Sequence, residues 1–119
     1  MSAFEAGPLL DLFDDDRVEV GNLLSIACRS VDEDLETIAL ALAAQDARKI
    51  AERTHHIKGT SGSIGAHELR AAALQLESEA RSESWPAMPM SFEALRAAGA
   101  LLATDVSLFR AAGQKGSTA

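Results

Sequence analysis

Tyrosine is absent from this sequence, and aromatic residues make up only 4% of its 119 positions. Sheet-rich folds lean on aromatic and β-branched side chains. Here alanine and leucine dominate instead, which favours helices packed on helices. Cysteine occurs once, at Cys28, so no internal disulfide can form. That residue falls at a helical position and reads as a small core filler. No apolar run approaches the ~20 residues of a membrane span. The N-terminus also lacks the basic-then-apolar pattern of a signal peptide. A cytoplasmic location is therefore expected, for a whole protein or for part of one. Basic residues are few: 11 Lys and Arg against 18 Asp and Glu, a net charge of −7. That excess of negative charge argues against nonspecific nucleic-acid binding, which needs a basic face, and against adsorption to anionic membrane.

Enough apolar residues remain for a packed core, 47% of the chain, so global disorder is not expected. There is no internal repeat, low-complexity tract or second domain. The reading is one domain over residues 1–119, with a core at about 8–112 and frayed ends. Residues 1–7 read as frayed. Pro8 suits the first turn of a short helix, and Leu9, Leu10, Leu12 and Phe13 give it apolar surface. Too short to stand alone, this helix is expected to lie across the bundle end as a lid. Asp16 with Glu19 matches a capping box, opening a long helix over about 17–44. Its stripe is Leu24, Ala27, Val31, Leu35, Ile38 and Leu42, opposite a solvated face carrying Asp32, Glu33 and Glu36.

Asp46 can cap the next helix, about 47–63, and Gly65 makes the turn that ends it. A further helix is predicted over about 67–83, with its stripe on Leu69, Ala73, Leu76 and Ala80. Trp85-Pro86-Ala87-Met88-Pro89 reads as the longest loop, with Trp85 folded over the bundle end. The last helix is predicted over about 91–112, capped by Gly113 and followed by a mobile tail. Short connections favour antiparallel neighbours. The predicted fold is all-α, an antiparallel up-down-up-down four-helix bundle with a short N-terminal lid helix.

One stretch stands apart: His55-His56-Ile57-Lys58-Gly59-Thr60-Ser61-Gly62-Ser63-Ile64-Gly65. Small or apolar residues recur at Ala47, Ile50, Thr54, Ile57, Ser61 and Ile64, the buried stripe of an amphipathic helix. At ~100° per residue His55 points away from that stripe, among Ala51, Lys58, Gly59 and Gly62. Each helical glycine costs ~1 kcal/mol relative to alanine, so glycines around an exposed histidine suggest space cleared for a large partner. Arg48, Lys49, Arg53 and Lys58 cluster nearby. They form either a solvated face or a local positive field for an anionic group.

Several chemistries compete for this stretch. A phosphate-cradling loop needs glycine, four residues, then Gly-Lys-Ser/Thr after a strand, and neither is present. Adjacent histidines diverge by ~100° and cannot chelate one metal ion together. Ser61 lies on the buried stripe, with no base and orienting group in view for a hydrolase. A merely solvated histidine suits His56, which shares a polar side with Lys49, Arg53 and Thr60. For His55 the remaining reading is phosphoryl transfer. An imidazole with the ordinary pKa of ~6.5 is largely neutral near pH 7 and nucleophilic. Lys58, one turn on, can pair with phosphoryl oxygens. Counted outward from Gly65, Glu77 comes level with His55 and could hold its other ring nitrogen.

His55-His56-Ile57-Lys58-Gly59-Thr60-Ser61, followed by Gly65-Ala66, resembles the signature of histidine-containing phosphotransfer (HPt) domains. The likeness continues through Leu69, Leu76-Glu77 and Arg81 and covers about residues 8–112. The resemblance implies a four-helix bundle whose His55 relays a phosphoryl group between receiver-domain aspartates in a two-component phosphorelay. The chain would be a carrier, with no ATP site and no cofactor or metal of its own; magnesium would belong to the partner receiver. Response-regulator receivers and a hybrid sensor histidine kinase are the implied partners of what is expected to be a monomer. Docking would use Leu9, Leu12 and Phe13 and the hollow at Ala51, Gly59 and Gly62. The alternative is a non-phosphorylated adaptor built on the same bundle, which would have no reason to keep the His-Lys-Gly set. A dimerising kinase core would need an ATP-binding domain that 119 residues cannot add to this bundle.

Overall fold

A computed structural model describes residues 3–118, with side chains through Gly113. Its helices are α1 (Ala6–Leu12), α2 (Arg17–Ala43), α3 (Ala47–Ile64), α4 (His67–Arg81) and α5 (Met88–Thr118), with a 3₁₀ turn at Trp85–Ala87. The four long helices form an up-down-up-down bundle. α2 packs on α3 and α5, and α4 packs on the same two, so each long helix touches its two neighbours around a closed square. Gly99 on α5 lets α2 come close: a Cβ there would lie 3.3 Å from Leu35 and 3.6 Å from Val31.

The expected stripes form the core. Leu24, Val31 and Ile38 of α2, Ile50 and Ile57 of α3, Leu69 and Leu76 of α4, and Leu95 and Leu102 of α5 are all buried. Leu42, the last residue of the predicted α2 stripe, is only half-buried. Thr54 and Ser61 sit on the buried stripe of α3 because their hydroxyls donate back along the helix. Thr54 Oγ1 donates to Ile50 O at 2.8 Å and Ser61 Oγ to Ile57 O at 2.6 Å, so neither polar group is stranded. Cys28 is half-buried against the core rather than within it; burial, with Asp32 nearby, pushes its thiol pKa up.

Helix starts follow the capping residues. Asp46 accepts from Lys49 N at 3.0 Å, and Asp16 from Glu19 N at 3.1 Å. The capping box at Asp16 is one-sided, since the Asp16 amide bonds to Phe13 O instead. α3 ends at Gly65, whose φ of +69° is the left-handed conformation glycine adopts without strain. A Cβ there would also lie 2.8 Å from Glu5 Cβ.

Four expectations are corrected. Residues 3–7 are not frayed. Phe4 is buried and meets Phe109 edge-on at 5.7 Å. The Ala3 amide bonds to Asp105 Oδ2 at 2.6 Å and the Glu5 amide to Ile64 O at 3.1 Å. The packed unit thus begins before residue 8. Trp85–Pro89 is not a long loop. Trp85–Ala87 is a 3₁₀ turn whose Trp85 packs on the core, and α5 begins at the fully buried Met88. Pro89 falls in the first turn of α5, where its missing N–H costs nothing. Finally, Gly113 does not cap α5, which continues to Thr118. α4, for its part, stops at Arg81, two residues short of the expected end. The predicted tail beyond Gly113 therefore begins as helix, and Ala119 lies outside the described residues.

Candidate functional site

His55 stands midway along α3 on the side away from Ile57, with 64% of its side chain exposed. The two-residue connection at Gly65-Ala66 makes α3 and α4 a hairpin, and its register brings Glu77 of α4 level with the imidazole. His55 Nδ1 lies 3.1 Å from Glu77 Oε2. The Glu77 side chain is almost fully buried, yet it accepts from Lys58 Nζ at 2.9 Å and from Arg81 Nη2 at 3.0 Å. Burial alone would push this carboxyl's pKa up. The bonds from Lys58, Arg81 and His55 outweigh burial and hold it below the ordinary value of 4.5. Glu77 is therefore ionised near neutral pH and can only accept. The proton of a neutral His55 is thereby placed on Nδ1, and the lone pair falls on Nε2, at the exposed side of the ring.

Lys58, expected to meet phosphoryl oxygens, is tied to Glu77. An ammonium has three donors, so two remain for an anion at His55. Gly59 and Gly62 are helical and exposed. A Cβ at Gly59 would meet nothing within 4 Å, and one at Gly62 only Arg70 Nε at 3.9 Å and Arg70 Cδ at 4.0 Å. No packing requirement accounts for either glycine; both leave the wall beside His55 bare.

The expected docking residues divide. Leu12 is exposed, and Phe13 is half-buried against the core. Leu9 is only 5% exposed; its side chain closes the core under α1 and is withdrawn from the surface. Ala51 is also buried, forming the floor of an open trough edged by Arg48 and Arg81 and by Glu52 and Glu83. The trough forms because α3 and α4 both present small residues here, Ala47, Ala51 and Ala80.

Two features escaped the sequence reading. Arg81, read in the sequence only as part of the family likeness, completes the hold on Glu77; that role was signalled by the i,i+4 spacing between them. His56, expected to be free surface, has its Nδ1 bound to Asp34 Oδ2 of α2, a buried carboxylate. Arg53 Nη1 lies 3.5 Å from the other Asp34 oxygen. His67 makes a third pair, its Nε2 2.9 Å from Glu5 Oε1, with both side chains mostly in solvent.

In sequence, residues 22–111 match the Hpt domain family model. The chain belongs to the Hpt domain family. This Hpt chain also resembles solved structures. Histidine-containing phosphotransfer protein B from Pseudomonas aeruginosa PAO1 superposes with a TM-score of 0.80 at 26% identity, covering 95% of this chain and 96% of that one. A rice protein proposed to be a histidine-containing phosphotransfer protein gives a TM-score of 0.82 at 20% identity, over 91% of this chain and 79% of its own; at that identity the likeness bears on the fold alone. No curated protein matches the chain in sequence.

Proposed function

We propose that this Hpt domain carries a phosphoryl group on Nε2 of His55, relaying it between aspartates of receiver domains. The supporting observation is an exposed imidazole whose Nδ1 is held by a buried, ionised carboxylate. In the forward step the Nε2 lone pair attacks the phosphorus of an aspartyl phosphate. The N–P bond forms, the acyl P–O bond breaks, and the aspartate leaves as carboxylate. The Nδ1 proton stays on the ring, which becomes cationic, and Glu77 offsets that charge through the existing hydrogen bond. Lys58 answers the negative charge on the transferred oxygens. Transfer to a second receiver reverses each change.

Donor and acceptor are receiver domains, one of them belonging to a hybrid sensor kinase, and any divalent cation is theirs. The domain works as a monomeric cytoplasmic carrier without ATP chemistry of its own. No helix among the described residues is long and apolar enough to cross a membrane, which accords with that location. A receiver would approach over Gly59, Gly62 and Leu12, with the Arg48–Arg81 trough on the other side of His55.

The test is label transfer from a phosphorylated receiver to the wild type and to two variants. His55→Gln should take up no label, and His56→Gln should take up label at close to the wild-type rate. The reverse pattern would move the relay to His56. A His55→Ala protein that binds and regulates receivers as the wild type does would favour the adaptor instead.

A further inference from the structure

The bond between His55 and Glu77 has a near copy one residue along. His56 Nδ1 meets Asp34 Oδ2 as His55 Nδ1 meets Glu77 Oε2. Both carboxylates come from a neighbouring helix, α2 in one case and α4 in the other. Each carboxylate side chain is 5% exposed, while the histidine side chains are 55% and 64% exposed. Each carboxylate also has a cation beside it, Arg53 at Asp34 and Lys58 with Arg81 at Glu77. The chemistry follows from the pairing. A buried carboxylate accepting from Nδ1 places the lone pair of a neutral ring on Nε2. It also stabilises the cationic ring that N-phosphorylation creates.

The surroundings of the two rings differ. One turn either side of His56 stand Glu52, Arg53 and Thr60, and Glu52 is tied to Lys49 and Arg53 at 3.5 and 3.2 Å. Only Gly59 is bare on that face. A folded receiver has no cleared wall there, whereas a small molecule needs none.

We propose that His56 is a second phosphoacceptor, taking a phosphoryl group at Nε2 from small donors of the phosphoramidate class rather than from receiver domains. Nε2 attacks phosphorus, the N–P bond to His56 forms, the donor's own P–N bond breaks, and ammonia leaves with the protons it already carried. The Nδ1 proton stays in the bond to Asp34. The transfer is independent of the His55 relay, so either can fail without the other.

The experiment uses the full chain carrying His55→Gln, incubated with potassium phosphoramidate and read by tandem mass spectrometry and by ¹H–¹⁵N NMR of the imidazoles. Phosphate is expected on His56 at Nε2, at a rate at least about tenfold above His67, one charge-assisted hydrogen bond's worth. His67 is the internal control, because its Nε2 is engaged and its partner Glu5 is exposed. Adding Asp34→Asn should slow the His56 reaction by about tenfold. The comparison with His67 needs no change at Asp34, so it stands even if that variant folds poorly. Equal rates at His56 and His67, phosphate on Nδ1 of His56, no phosphate on His56, or an unchanged rate in a folded Asp34→Asn protein would each overturn the proposal and leave the pair a structural pin between α2 and α3.

Discussion

Glu77 shows how one side chain can serve stability and chemistry together. Its carboxylate is nearly enclosed yet joins three donors, Lys58, Arg81 and His55. Those bonds hold its pKa below 4.5 in the folded protein, so folding is favoured wherever the unfolded chain is also ionised. The contribution is complete above pH 4.5 and is lost as pH falls through the lowered folded value. Glu77→Gln should cost about 1–2 kcal/mol at pH 7, toward the low end for a buried charge because His55 and Arg81 can return to water. Urea unfolding of both proteins between pH 7 and pH 3 reads this directly. The gap should close in acid; a gap constant across the range contradicts it. The same variant loses the acceptor that fixes the His55 tautomer, so its phosphotransfer should slow as well.

At the scale of the element, α3 carries two kinds of glycine, and substitution should separate them. Gly59 is helical with open space at its Cβ position. Gly59→Ala should therefore stabilise the fold by up to ~1 kcal/mol through helix propensity. Gly65 has φ +69° and Glu5 at 2.8 Å from its would-be Cβ, so Gly65→Ala should destabilise by about 1–2 kcal/mol. Thermal unfolding of the pair checks both signs, and a destabilising Gly59→Ala would mean that Gly59 serves packing after all. Much of this helix was legible beforehand, because its polar face and buried stripe alternate over several turns. The His55–Glu77 pairing was legible because a two-residue turn leaves little freedom of register. Asp34 stands three residues after Val31 and four before Ile38, on the buried stripe and away from Asp32, Glu33 and Glu36, so its burial was legible; its pairing with His56 was not, because the sequence allows more than one partner. Pro89 and Gly113 misled for a related reason. Proline is compatible with a helix's first turn as well as with a loop, and glycine within a helix looks like glycine beyond one.

For the whole molecule, the N-terminal segment is packed onto the bundle from Ala3 onward. Phe4 lies under Phe109, with Arg17 stacked on that ring at 4.1 Å. A lone aromatic in a seven-residue stretch has no periodicity to reveal its burial, which is why these residues read as frayed. Phe4→Ala should cost about 3 kcal/mol, measured by chemical unfolding; a loss under about 0.5 kcal/mol would restore the frayed end. The body carries a net charge of −7, yet two cations, Lys58 and Arg81, meet at Glu77 beside His55, so an anionic group on the ring has cationic donors within the same cluster. The most direct measurement is long-range ¹H–¹⁵N NMR of the wild-type domain after transfer from a phosphorylated receiver. The expected result is one phosphohistidine, at Nε2 of His55, with Nδ1 still protonated. A phosphoryl group on Nδ1 of His55, or none on His55 while the receiver loses its own, would contradict it.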